Sequence, residues 1–158
     1  MTILALDTSN KTLSVAVELT DGTMIEQTIE NTLQHSVLLM PTIEAVFKEA
    51  SITAKDLTKV VVAEGPGSYT GLRIGVTVAK TLAKSLGIPL VGVSSLDVFL
   101  PNLASKVEVA EVVVPFFDAR RGNIFAVGYQ KTDEGFKKVI AEQHISWDDF
   151  LKVLPEFA

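Results

Sequence analysis

The sequence predicts an α/β protein, a mixed sheet with helices on its faces, built as one complete unit followed by the start of a second. Three observations carry that reading. Residues 3–29 hold three short β-rich runs separated by polar turns, the pattern of an antiparallel meander. From residue 36 onward helical and strand periods alternate, which suits parallel strands with helices packed on them. After about residue 104 the opening pattern begins again.

The elements follow in order. Ile3 to Leu6 is a buried-strand run, Asp7 to Thr12 a turn, and Leu13 to Leu19 an alternating strand. Asp21-Gly22 turns the chain into a third strand over Met24 to Ile29. Ser36 is the expected N-cap of a helix through "VLLMPTIEAVFKEA", with Pro41 tolerable only near its first turn. A strand over Lys59 to Glu64, a helix over Thr70 to Leu86 and a strand over Leu90 to Val93 come next, and a further helix opens near Ser94 or Ser95. Gly87 and Pro89 stop the second helix.

The repeat lies in "VVVPFFDARRGNIFAVGYQKTDEG", which follows the logic of "ILALDTSNKTLSVAVELTDG". In both, a β-rich run ends in Asp, polar turn residues follow, and an alternating strand comes after them. Asp118 answers Asp7, and Ile124 to Tyr129 answers Leu13 to Leu19. Phe136 to His144 is the expected third strand and Ser146 caps a helix. The expected domains are therefore residues 1–104, a complete N-terminal lobe, and residues 105–158, a second lobe that is only begun.

Composition bounds the function. The chain of 158 residues is 47% hydrophobic and 21% charged, the balance of a globular core former. Its 14 Lys and Arg against 19 Asp and Glu give a net charge of −5, which argues against gripping a nucleic-acid backbone unaided. With no cysteine, thiol catalysis, disulfides and thiolate metal sites are excluded. The N-terminus lacks the features of a signal peptide, and no apolar run approaches the roughly 20 residues of a membrane helix. The expectation is a soluble, cytoplasmic protein.

The most unusual stretch is "GPGSYTGLRIG", residues 65–75. It lacks the Gly-Lys-Ser/Thr of a phosphate-binding P-loop. Beyond it Gly71, Gly75, Ala79 and Ala83 recur every four residues and draw a stripe of small side chains along one ridge of the helix. Such a stripe lets a neighbour come close. That neighbour is either the chain's own helix near Val37 to Ala50 or a second polypeptide. Arg73 in the first turn opposes the helix macrodipole, so it either pairs with a carboxylate such as Glu64 or reaches toward a partner or a phosphate. Asp7 and Asp118, at strand ends before polar turns, are placed to orient a phosphate-bound metal or water, or simply to satisfy turn N–H groups. Arg120-Arg121 is the densest positive charge. His35 has Leu39 at i+4, so the helical two-His metal pattern is absent, and Ser68, His35 and Asp7 make no triad because no GxSxG elbow is present.

Taken in order, "ILALDTS", "HSVLLMP", "GPGSYTGLRIG", "IPLVGVSSL" and "DARRGNIFAVGY" resemble the bacterial TsaB (YeaZ) family from Ile3 to about Tyr129. The resemblance implies the actin-like ATPase (ASKHA, ribonuclease H-like) fold, with a complete first lobe and a partial second lobe. It further implies a non-catalytic partner and activator of the TsaD-type transferase that forms N6-threonylcarbamoyladenosine at position 37 of tRNAs reading codons that begin with A. The implied partners are the TsaD-type subunit, a TsaE-type ATPase and a second copy of the chain, with tRNA met only through the complex and no membrane. No cofactor is assigned to the chain, and ATP or ADP shared within the complex is left open.

On this resemblance the partner interface comprises His35, Leu38, Leu39, Gly71, Leu72, Arg73, Gly75, Val76, Ala79 and Ala83, with Gly65, Pro66, Gly67, Ser68, Tyr69 and Thr70 shaping its entrance. The small stripe becomes the docking groove for a partner helix. Asp7, Thr8, Ser9, Asp118, Arg120 and Arg121 become a vestigial nucleotide site, because Ser9 and the two arginines stand where an active relative of the fold carries glycine. Val37 replaces a residue that is usually acidic in the family. The competing readings are an autonomous enzyme of the same fold, an ATP-dependent kinase or an M22-like peptidase, and a plain interaction domain without nucleotide.

Overall fold

A computed structural model describes residues 1–30 and 33–154. The chain divides into two compact units, Met1–Ser95 and Leu96–Ala158, so the boundary falls before residue 96 rather than after residue 104.

In the first unit β1 (Ile3–Asp7), β2 (Leu13–Glu18) and β3 (Met24–Ile29) form the expected antiparallel meander. After helix α1 (His35–Glu49), β4 (Lys59–Gly65) pairs parallel to β1. Helix α2 (Tyr69–Leu86) then leads to β5 (Leu90–Ser94), parallel to β4. The strand order is β3-β2-β1-β4-β5.

Side chains alternate along each strand, so registry decides which residues share a face. Leu4 stands opposite both Val17 and Val60, and Leu6 opposite Val15 and Val62. All six are buried in one core with Leu39, Ile43 and Val46 of α1 and Ala79 and Ala83 of α2. Both long helices therefore cover the same face of the sheet, not one on each.

Helix α2 is bounded as the sequence suggests. Ser68 Oγ accepts from the Gly71 N–H at 3.3 Å. At the other end Gly87 takes the left-handed conformation at φ 67°, which costs an L side chain energy and glycine none. Helix α1 departs from expectation. It begins at His35 with Gln34 at the N-cap position, so Ser36 lies inside it. Pro41 falls well past the first turn and cannot donate to the Val37 carbonyl. Val37 and Pro41 are both exposed, so water can reach that carbonyl.

In the second unit the helix expected after Ser95 is a 3-10 turn at Asp97–Phe99 followed by α3 (Leu100–Leu103). The β-rich run before Asp118 is interrupted at Pro115 into β6 (Val112–Val113) and β7 (Phe116–Arg120). Both pieces pair with β8 (Asn123–Thr132) in one register as far as Asp118, where it shifts before Arg120, and β8 pairs along its other edge with β9 (Gly135–Ser146). Helix α4 (Trp147–Val153) starts at Ser146, whose Oγ accepts from the Asp149 N–H at 3.1 Å. One face of this sheet packs Ile124, Ala126 and Ile140 with Phe150, and the other gathers Val127, Tyr129 and Leu96. The Tyr129 hydroxyl donates to Asp97 and holds the 3-10 turn to the sheet. Burial first, then this carboxylate, pushes the Tyr129 phenol above its ordinary range. Among the described residues no helix is long and apolar enough to cross a membrane.

Candidate functional site: a helical docking face above a glycine clamp

The glycine-rich entrance to α2 closes on the turn after β1. The Ser68 N–H donates to the Ser9 carbonyl at 2.6 Å, and Thr8 Oγ1 donates to the Gly71 carbonyl at 2.8 Å. A Cβ at Gly67 would strike the Ser9 carbonyl, one at Gly71 the Thr8 carbonyl, and one at Gly75 the Thr8 hydroxyl. Gly65, joined to Pro66 by a cis peptide, exchanges bonds with Ser95: the Ser95 N–H donates to the Gly65 carbonyl at 2.8 Å and the Gly65 N–H donates to Ser95 Oγ at 3.2 Å. Gly67 and Gly71 thus permit backbone-to-backbone approach within the chain, and Gly75 leaves room for the Thr8 side chain.

That geometry corrects the expected groove. Gly71, Gly75, Ala79 and Ala83 are all buried in this chain, turned onto the unit's own sheet, and none is available to a partner helix. His35 and Leu39 are buried as well, while Leu38, Leu72 and Val76 are half-buried. The neighbour requiring Gly71 and Gly75 is Thr8 in the turn after β1, while Ala79 and Ala83 join the core, a third possibility beside the two that helical periodicity suggests.

What α2 presents outward is different. Ser36 of α1 and Thr70, Arg73, Ile74, Thr77 and Val78 of α2 line an open groove of about 420 Å³. The same two helices expose Val37 at 65%, Met40 and Tyr69 at 74%. Large apolar side chains grouped in this way on one face mark an interaction surface more often than chance exposure does. Arg73 makes no ion pair among the described residues and lies over the Tyr69 ring, 5.4 Å from its centroid. Glu64, the carboxylate expected to pair with it, folds instead over Gly92. Ser36, Ile74, Thr77 and Val78 were not among the expected interface residues. Their signal is the 70-74-78 and 73-77 spacing flanking the small stripe.

The two repeated aspartates do the same thing. Asp7 Oδ1 accepts from the Ser9 N–H at 2.8 Å, and Asp118 Oδ1 accepts from the Arg120 N–H at 2.7 Å. Each closes a turn two residues ahead, as Asx residues do. The turns differ beyond that point. Ser9 is buried under the α2 entrance, whereas Arg120 and Arg121 are exposed in the left-handed region at φ 67° and 53°. Ser9 Oγ and His35 Nε2 are buried without a hydrogen-bond partner. Among the described residues no group of three His, Cys, Asp or Glu gathers in metal-ligating geometry.

A β3-β2-β1-β4-β5 sheet with both helices on one face, and a second unit that reopens with the same Asp-closed turn, define a protein of the actin-like, ribonuclease H-like class. The family model TsaD, tRNA N6-adenosine threonylcarbamoyltransferase, matches residues 26–156. The chain is 42% identical over 156 residues to the tRNA threonylcarbamoyladenosine biosynthesis protein TsaB of Bacillus subtilis, covering 99% of this chain and 67% of that protein. It is 31% identical to TsaB of Escherichia coli, covering 85% of this chain and 58% of that one. YeaZ from Pseudomonas aeruginosa superimposes with a TM-score of 0.80 at 30% identity, over 92% of this chain and 67% of the solved one. The chain belongs to the TsaB (YeaZ) family.

Proposed function

We propose that the chain acts in tRNA threonylcarbamoyladenosine biosynthesis as a non-catalytic partner that activates a TsaD-type transferase, the enzyme modifying adenosine 37 of tRNAs that read codons beginning with A. The observation that carries this reading is the outward side of α1 and α2, an apolar groove between two helices that also expose Val37, Met40 and Tyr69. The groove is rooted on a rigid base, because the glycine clamp fixes the α2 entrance to β1. Preorganised helices of this kind bind a partner helix without first ordering themselves. Asp7 and Asp118 support the non-catalytic part, since each carboxylate closes its own turn. A second copy of the chain can use the same face, a TsaE-type ATPase completes the assembly, and tRNA is reached through the transferase in the cytoplasm. His35, Leu38, Leu39, Leu72 and Val76 then shape the face from below rather than touch the partner.

The test is threonylcarbamoyl transfer to tRNA by a purified TsaD-type subunit with TsaE and the activated intermediate, in the presence or absence of this chain. Wild type restores transfer, and Thr77→Trp, which fills the groove from an exposed position, does not. Transfer that proceeds equally without the chain would sink the proposal. A protein of known structure from Pseudomonas aeruginosa, 30% identical to this chain, is described as similar to peptidase YeaZ. Turnover of a peptide or of ATP by this chain alone, abolished by Asp7→Ala, would favour the autonomous enzyme instead.

A further inference from the structure

Boundaries between compact units ordinarily lie in exposed, flexible linkers that few contacts cross. Here Ser95, the last residue of the first unit, is 1% exposed, and Leu96, the first of the second, is fully buried. No linker residue separates them.

Each is anchored within its own unit. The Ser95 N–H donates to the Gly65 carbonyl at 2.8 Å. The β4–β5 ladder shifts register between Ala63 and Gly65, and the Gly65 N–H ends on Ser95 Oγ at 3.2 Å rather than on main chain. Both backbone groups of Gly65 are thereby committed to this one serine. A Cβ at Gly65 would stand 3.3 Å from Leu72 Cδ1, so Gly65 lies against the first turn of α2. Three residues further on, the Ser68 N–H is fixed to the Ser9 carbonyl. In the second unit Leu96 packs with Val127 and Tyr129, and the Tyr129 hydroxyl donates to Asp97. A single planar peptide joins the two anchorages, which leaves no slack between them.

We infer, independently of the partner role proposed above, that Ser95 and Leu96 form a coupling joint: loosening the Tyr129–Asp97 anchorage in the second unit is passed through Ser95 to Gly65 and frees the entrance of α2. Coupling of this kind travels through packed and hydrogen-bonded groups in contact. Every link here is one of the contacts just named. The second unit thus sets how firmly the glycine-rich loop of the first is held.

The experiment is amide exchange of the whole chain at neutral pH, read as protection factors over residues 65–72, 97–100 and, as a reference, 13–18. Tyr129→Phe removes the donor in the second unit and Asp97→Ala its acceptor, while Asp97→Asn keeps an acceptor. Ser95→Ala removes the side-chain link to Gly65. Ser146→Ala weakens the second unit away from the joint. Tyr129→Phe and Asp97→Ala should each lower protection over 65–72 by about two- to tenfold, the scale of one lost hydrogen bond, and leave 13–18 unchanged. Asp97→Asn and Ser146→Ala should leave 65–72 near wild type. Ser95→Ala alone should lower protection over 65–72, and adding Tyr129→Phe to it should lower it no further. Tyr129→Phe and Asp97→Ala that loosen 97–100 yet spare 65–72 overturn the inference. So does Ser146→Ala that loosens 65–72 as much as they do, or a fall over 13–18 equal to that over 65–72, either of which marks general destabilisation.

Discussion

The hydroxyl of Thr8 occupies the space that a side chain at Gly75 would need, although the two residues lie on different elements. The same hydroxyl donates to the Gly71 carbonyl, one helical turn earlier, at 2.8 Å. One threonine just past β1 thus sets how closely α2 can lie on the sheet.

This predicts a coupled pair. Gly75→Ala gains about 1 kcal/mol in helix propensity but overpacks against Thr8, at a cost of about 1–3 kcal/mol. Thr8→Ala loses the bond to Gly71, about 1 kcal/mol, and vacates the position that the new methyl requires. The double variant should be more stable than the sum of the singles by at least about 1 kcal/mol in a urea double-mutant cycle. Additive effects would mean that α2 is not set against Thr8. Gly75→Leu, for the same reason, tests folding rather than docking.

The two Asx turns should respond unequally. Asp7→Ala and Asp118→Ala each remove one acceptor, worth about 0.5–1.5 kcal/mol. Only the Asp7 turn holds Ser9, whose carbonyl anchors the α2 entrance. Thermal denaturation should therefore rank Asp7→Ala as the costlier change, with Asp7→Asn recovering most of the loss because the amide oxygen still accepts. Equal losses would show that Ser9 transmits nothing to α2.

The β7–β8 hairpin tip should be improvable. Arg121 and Gly122 are its central residues, at φ 53° and 75°, the type I′ combination for which Asn-Gly is preferred. Arg121→Asn should stabilise the protein by about 0.5–1 kcal/mol, because Asn tolerates the left-handed region better than Arg does. Chemical denaturation measures it, and a loss of stability would mean that the arginine makes a compensating contact.

The start of α4 should loosen in acid. Lys152 first, then Ser146, holds the Asp149 carboxyl below its ordinary range. A carboxyl depressed in the folded state adds stability above its unfolded value, near pH 4, that is lost as pH falls through the folded one. Protection factors over residues 147–153, the intrinsic exchange rates divided by the observed ones, should therefore fall below about pH 4. Lys152→Met should blunt that response, and Ser146→Ala should cost about 1 kcal/mol through the lost cap. Protection factors flat between about pH 3 and pH 6 would contradict the linkage.

Much of this architecture is legible in the chain itself. Period-two apolar runs place β1, β2 and β3, and Ser68 with Gly87 bounds α2, because these signals act between near neighbours. The Asp7 and Asp118 repeat is legible for the same reason, as each carboxylate closes a turn only two residues away. Helix α1 was harder to place, since its start carries no side-chain cap bond and Pro41 sits where local rules disfavour it. The short 3-10 turn and α3 offered too few residues for a helical period to declare itself.

The sequence by itself determined the order of the elements, the two-unit repeat and the existence of a small-residue stripe on α2. Only the tertiary structure decided what that stripe meets. Periodicity states that Gly71, Gly75, Ala79 and Ala83 share a ridge, which is a property of 3.6 residues per turn. Which surface the ridge packs on depends on Thr8, 63 residues from Gly71 along the chain, and on the register that aligns it with Leu4 and Leu6. Because that contact takes the small residues inward, the outward face of α2 is left to Arg73, Thr77, Lys80 and Lys84.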